Sequence, residues 1–249
     1  IVFLTLLNGA TLYPSGAMRS GGLFDWLHDQ AITIFLAPVG LLRDQLAAGQ
    51  RLRRAPAVRA VILGGQQLMY RDLVGLPELV APDCEIVNRL SMSEFHLVTR
   101  YVIDKQDIRP SPDPVPVGHP VVDSEVLLWD DAGQPVTAGE AGQIVVRSNY
   151  LTPGYWQNPE LTADRFLTDP ANGDRRIFLT GDRGRLRADG CLEYLGRQDL
   201  MVKIRGYRVE PEAIERTLLA HPAIRECAVT PRTQPSGEQH LIAYLVCHG

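Results

Sequence analysis

An α/β fold is predicted for this chain of 249 residues: a mostly parallel sheet layer, then a small β-rich portion, then a small α+β unit. Three observations predict it. Apolar runs alternate with helix-spaced patterns through residues 1–103, as in parallel sheets covered on both faces. From about residue 111 the chain becomes Pro-rich and then breaks into short strands joined by turn signals. The last fifty or so residues carry a period-two segment, an amphipathic helix and two more apolar strands.

The elements follow in order. "IVFLTLL" (1–7) is too short to span a bilayer and lacks a basic flank or cleavage signature. It reads as the middle of a helix or strand, and with no initial Met the chain is expected to be a piece of a longer protein. "TLYP" (11–14) is expected to end a strand, "LFDWLHDQ" (23–30) to be helical, and "ITIFLAP" (32–38) to be a strand stopped by Pro38. "GLLRDQLAAG" (40–49) repeats the helical pattern. "AVRAVILGG" (57–65) and "CEIVNRL" (84–90) are two further strands. "RPSPDPVPVGHP" (109–120) cannot be helical and is an extended linker. "SEVLLWDDAGQPV" (124–136) reads as a hairpin turning on Asp-Asp-Ala-Gly, with "GQIVVRS" (142–148) a further strand. In "NPELTADRF" (158–166) Asn158 is a candidate cap and Pro159 fits the first helical position. "RADG" splits two strands within 177–199, "LMVKIRGYRVE" alternates, and "EPEAIERTLLAHPAI" is an amphipathic helix begun by Pro211. The expected division is 1–110, an α/β part; 111–198, β-rich; and 199–249, α+β.

Composition narrows the function classes. With 45% apolar residues the chain buries a sizeable core. Its net charge is −4 and no Lys/Arg block exceeds two residues, so it offers nucleic acid no basic platform. Cys84, Cys191, Cys227 and Cys247 lack C-x-x-C spacing, which reads as reduced thiols in the cytoplasm. No membrane partner is expected.

Ligands of parallel α/β sheets sit beyond the carboxyl ends of the strands, which singles out "GGQQL" (64–68) and "SMSEF" (91–95). Paired glycines admit close backbone approach, or make an ordinary turn. Ser91, Ser93 and Glu94 suit phosphate-bound Mg²⁺ through oxygen ligands, or Ser93 caps the next element. "YPSGAMRSGG" (13–22) lacks the Lys followed by Ser or Thr of a phosphate loop. Asp182, at a strand end, suits a vicinal diol such as ribose hydroxyls, or is a turn residue. Lys203 and Arg205 share one face of a hairpin that is either solvated or functional.

"FLTGDRGRLRADGCLEYLGRQDLMVKIRGYRVEPEAIE" (178–215) resembles two consecutive core motifs of the adenylate-forming enzymes. "GEAGQIVVRSNYLTPGYWQNPELTADRF" (139–166) resembles the motif before them, and "VNRLSMSEF" (87–95) the adenine and metal loop. The likeness spans essentially the whole chain and is strongest to adenylation domains of nonribosomal peptide synthetases, through "VKIRGYRVEPEAIE" and "GYWQNPELTADRF".

The resemblance implies the C-terminal half of an adenylation-domain core, with a small β-barrel subdomain followed by a mobile lid. It implies ATP-dependent activation of a carboxylic acid, an amino acid for choice, as an acyl-adenylate. Transfer then follows to a carrier protein's phosphopantetheine thiol, or to CoA as in acyl-CoA ligases. ATP and Mg²⁺ are the implied cofactors. The implied partners are the acid, a carrier domain and neighbouring synthetase domains.

Residue by residue, Asp182 would bind the ribose, Arg197 assist at ribose or phosphate, and Glu94 hold Mg²⁺. Ser93 would contact a phosphate oxygen; Gly64, Gly65, Leu90 and Ser91 would wall the nucleotide. Val61, Leu63, Arg89, Leu97 and Val98 would line the acyl pocket, mostly apolar and suited to a medium apolar or aryl acid. Asp199 would be the hinge. Lys203 would turn to the active site on the lid, and Gly206 would line the thiol's tunnel.

Leu90 replaces the family's usual adenine-stacking aromatic, Ser91 its Gly, and Met201 its common Gln. The family's phosphate loop and amine-gripping Asp lie upstream of residue 1, and its catalytic Lys beyond Gly249. This stretch alone is therefore expected to be nearly inactive. The alternative reading is a degenerate or truncated adenylation-like module with a docking role.

Overall fold

The computed structural model describes residues 2–14, 22–47, 52–171, 173, 175–197, 202–204, 207–209, 211–233 and 239–248. They divide into two compact units, one of residues 1–88 and 102–113, the other of 89–101 and 114–249.

The first unit opens with helix α1 (Val2–Leu7) and α2 (Leu23–Asp29), which buries Leu23, Phe24 and Leu27. Strand β1 (Ile34–Pro38) runs straight into α3 (Val39–Ala47). β2 (Ala60–Gly64), the short α4 (Leu76–Leu79) and β3 (Glu85–Leu90) follow. β2 pairs parallel with β1, Ile34 facing Ala60, and parallel with β3, Leu63 facing Asn88. The alternation of the run 57–65 is realised in β2, whose Val61 and Leu63 are fully buried while Ala60 and Ile62 are half-buried. Asp72, buried beneath α3, is matched by Arg43 through a two-pronged pair at 2.9 and 2.7 Å. One expectation fails: residues 11–14 form no strand. Pro14 lacks an amide for a ladder, and Tyr13 instead packs edge-on against Trp26 at 6.2 Å.

β4 (Thr99–Ile103), whose residues 99–101 belong to the second unit, pairs antiparallel with β5 (His119–Pro120) through Thr99 and Arg100. The main sheet takes β6 (Glu125–Trp129), β7 (Ala141–Ser148), β8 (Phe166–Thr168), β9 (Arg176–Leu186) and β10 (Leu192–Arg197). Its order is β10-β9-β7-β6, all antiparallel, with β8 also on β9. The expected turn after Trp129 is present: Asp130 accepts from the amides of Ala132 and Gln134 at 2.9 and 2.8 Å. The returning strand is β7 rather than the adjacent 135–136, because Pro135 has no N–H and makes only one bridge, to Trp129.

Between β7 and β8 lies α5 (Pro159–Arg165), capped by Asn158, whose Oδ1 accepts from the Leu161 amide at 3.1 Å. Phe95, Val98, Ile144, Phe166, Phe178 and Leu192 are among the side chains of this unit's core. The tail comprises the hairpin β11 (Val202–Ile204) and β12 (Tyr207–Val209), helix α6 (Pro211–Leu219), and the hairpin β13 (Ile224–Thr233) and β14 (Gln239–Cys247). No described helix is long and apolar enough to cross a membrane.

Candidate functional site

Within the second unit a cavity of about 170 Å³ is lined by Glu94, Tyr155, Arg165, Thr180, Asp182 and Arg197 with apolar neighbours such as Met92 and Leu161. Each polar group reaches it by a local device. Asp182 follows Gly181, whose φ of 74° lies in the left-handed region. There β9 slips register against β7, between the Gln143–Arg183 and Val145–Leu179 pairs, as a bulge does when it re-aims a side chain. The Thr180 hydroxyl fixes the bulge, donating to the Ile144 carbonyl at 2.7 Å and accepting from the Asp182 amide at 2.9 Å.

A second irregularity, between Tyr194 and Gly196 on β10, brings Arg197 opposite Asp182. Arg197 Nη1 then lies 3.4 Å from Asp182 Oδ1, and the Tyr194 hydroxyl donates to the same oxygen at 3.3 Å. Asp182 is only 6% exposed, and a carboxylate so buried needs such partners. Burial, and then the charge of Asp182, push the Tyr194 phenol up, so it stays a neutral donor.

Glu94 sits on the loop after β3, where its backbone carbonyl accepts from the Thr152 amide at 3.0 Å. Its Oε1 accepts from the Tyr155 hydroxyl at 2.8 Å. Burial, helped by that hydrogen bond and the Glu94 charge, pushes the Tyr155 phenol up to about 12. Two carboxylates and two guanidiniums therefore meet around one small cavity, a set able to bind a polyhydroxylated, phosphorylated molecule, with the Tyr155 phenol hydrogen-bonded to Glu94 beside them.

Of the residues singled out from sequence, Glu94, Asp182 and Arg197 share this cavity. Leu90 packs against the core of the same unit, in which Val98 is fully buried. Ser91 and Leu97 are half-buried and Ser93 is exposed. Arg89 is half-buried; its Nε has no hydrogen-bond partner among the described residues, and burial lowers its pKa. Val61 and Leu63 are fully buried in the first unit; Gly64 ends β2 there, and Gly65 turns with φ of 81°. The backbone of Lys203 lies in β11 opposite Arg208. Asp199 and Gly206 lie outside the described residues.

Sequence reasoning did not single out Tyr155, Arg165, Thr180 or Tyr194. Tyr155 and Arg165 lie inside the quoted 154–166 motif, but nothing local marks either as facing Glu94. Cys84 and Cys191 are buried free thiols raised by that burial, which leaves them poor nucleophiles. Among the described residues no three His, Cys, Asp or Glu form a metal cage. Mg²⁺ is commonly held by one or two carboxylates plus substrate phosphates, and Glu94 on the cavity fits that mode.

A family model described as AMP-binding enzyme matches residues 1–156. The chain is 32% identical to indigoidine synthase of Dickeya dadantii (strain 3937) over 90% of its own length and 15% of that protein. It is 31% identical to gramicidin S synthase 2 of Brevibacillus brevis over 98% of its length and 6% of that protein. Among solved structures, NpsA-ThdA, an artificially fused adenylation–PCP di-domain NRPS from Klebsiella oxytoca, aligns with a TM-score of 0.65 at 27% identity. That alignment covers 100% of this chain and 46% of the other. The chain thus spans less than half of each of these relatives.

Proposed function

The chain belongs to the AMP-binding enzyme family, with an adenylation-domain fold, and from that premise we propose that its parent protein activates an amino acid as an acyl-adenylate. The substrate carboxylate attacks the α-phosphorus of ATP; a P–O bond forms to the acid and pyrophosphate departs. A carrier's phosphopantetheine thiol then attacks the acyl carbon, a thioester forms and AMP leaves. The carrier step is in keeping with the artificial adenylation–PCP fusion from Klebsiella oxytoca, in which an adenylation domain is joined to a PCP.

Asp182 is assigned to the ribose hydroxyls, since a carboxylate accepts two hydrogen bonds from a vicinal diol. Arg197, beside it, is assigned to the ribose or phosphate, where a fixed cation stabilises developing charge. Glu94 is assigned to Mg²⁺, which when bound neutralises phosphate charge. Ser93 is assigned to a phosphate oxygen; Gly64, Gly65, Leu90 and Ser91 to the nucleotide wall; and Val61, Leu63, Arg89, Leu97 and Val98 to the acyl pocket. Residues 199–249 act as a lid pivoting at Asp199, bringing Lys203 and Gly206 to the site for each half-reaction.

The observation that carries this reading is the meeting of Glu94, Asp182 and Arg197 on one cavity. ATP–pyrophosphate exchange by the full-length protein across a panel of amino, aryl and aliphatic acids tests it. Exchange with one acid and loading of a carrier are expected; transfer to CoA instead would assign it to the acyl-CoA ligases. A second reading, a degenerate docking module, is favoured by Leu90 at the adenine-stacking position. Carrier binding without nucleotide binding would select it.

A further inference from the structure

The Glu94 carboxylate is held by a segment far from it in the chain, 61 positions on at Tyr155. Residues 152–155 lie against the Glu94 loop by two bonds, Thr152 amide to Glu94 carbonyl and Tyr155 hydroxyl to Glu94 Oε1. That segment is itself anchored. Arg176 Nη1 donates to the carbonyls of Thr152 and Pro153 at 2.8 and 2.9 Å, and its guanidinium lies over the Phe166 ring at 4.8 Å. The Tyr155 amide donates to Thr162 Oγ1 at 2.9 Å, and that hydroxyl donates to the Asn158 carbonyl at 2.7 Å. The Tyr155 ring packs edge-on against Phe166 at 5.5 Å. Gly154 leaves the room this requires, because a Cβ there would collide with the Thr162 side chain. The phenol is thus fixed from both ends before it meets Glu94. Only Oε1 of Glu94 accepts a hydrogen bond from a described residue.

We infer that Tyr155 is the positioning residue for Glu94: its hydroxyl holds Oε1 so that Oε2 is presented to the divalent cation of a bound metal–nucleotide. The inference rests on the assignment of Glu94 to the metal. A neutral hydroxyl suits the task, since it orients a carboxylate without cancelling the charge a cation needs.

The test uses the full-length protein with Mn²⁺ as the metal probe and a non-hydrolysable ATP analogue, free Mn²⁺ being counted by electron paramagnetic resonance. Tyr155→Phe keeps the ring packing and deletes the hydroxyl. It should weaken Mn²⁺ binding roughly tenfold and change affinity for the metal-free analogue by much less. In pyrophosphate exchange the half-saturating Mg²⁺ concentration should rise while the rate at saturating Mg²⁺ recovers. In the Glu94→Gln background Tyr155→Phe should add no further loss of Mn²⁺ affinity, because its effect passes through that carboxylate. As a second pair, Tyr155→His keeps a ring N–H donor and should bind Mn²⁺ more tightly than Tyr155→Ala. Wild-type Mn²⁺ affinity in Tyr155→Phe, a further loss in the Glu94→Gln background, or equal affinities for the His and Ala variants would each overturn the inference alone. Wild-type protein that binds the analogue but no metal with it would overturn the assignment of Glu94 as well.

Discussion

Asp182 has two neighbours that its place in the chain does not advertise. Along the sequence no opposite charge stands in an obvious pairing position, yet in the fold Arg197, fifteen positions on, is its cross-strand partner at 3.4 Å, and Tyr194 donates to the same oxygen. Both contacts fall on Oδ1 of a carboxylate that is only 6% exposed. In the full-length protein Asp182→Ala should weaken ATP by about 1.5–3 kcal/mol for each charge-assisted hydrogen bond lost, read by calorimetric titration; unchanged affinity would remove Asp182 from the site. The candidate site was legible where a motif carried it, as at Glu94, Asp182 and Arg197, which share the cavity. It was illegible at Tyr155 and Tyr194, since a tyrosine beside a glycine or a leucine looks like any core aromatic until its hydroxyl finds a carboxylate.

Elements were read well where their signals are local. The α5 cap of Asn158 with Pro159 at the first position is a short-range arrangement, and it stands as expected. The Arg187–Gly190 turn between β9 and β10 closes with the Gly190 amide donating to the Arg187 carbonyl at 2.9 Å. Bulges are different, because an extra residue is recognised only against the strand it faces. The one at Gly181 decides where Asp182 points. Gly181→Ala should cost about 1–3 kcal/mol from the left-handed φ alone, seen as a lower midpoint in chemical denaturation. It should also weaken nucleotide binding out of proportion to that loss, as the carboxylate is re-aimed. Loss of stability with intact nucleotide affinity would mean that the bulge serves the sheet and not the site.

At the scale of the whole molecule, the tail meets the end of β10 through one carboxylate. Glu212, at the start of α6, accepts the Arg197 amide with both carboxylate oxygens, at 3.2 and 3.1 Å. Burial raises its pKa, and the Arg197 N–H opposes that only in part. A carboxyl whose folded pKa is raised contributes stability that is fully present below its unfolded value, about 4.3, and lost as pH rises through the folded one. Wild-type stability relative to Glu212→Gln should therefore fall as pH climbs through that window, measured by denaturant unfolding at several pH values; a flat difference would place Glu212 in water. Asp199→Pro should impair one half-reaction more than the other if a lid turns there, and equal loss in exchange and in carrier loading would argue against a pivot. The order of α/β, β-rich and α+β parts could be read from local signals, because hydrophobic period, caps and turn residues act within a few positions. Which side chains share the cavity is set by long-range packing. That choice depends on register slips at Gly181 and Gly196, and on the Thr152–Tyr155 segment lying against Glu94, contacts between residues far apart in the chain that no local period encodes.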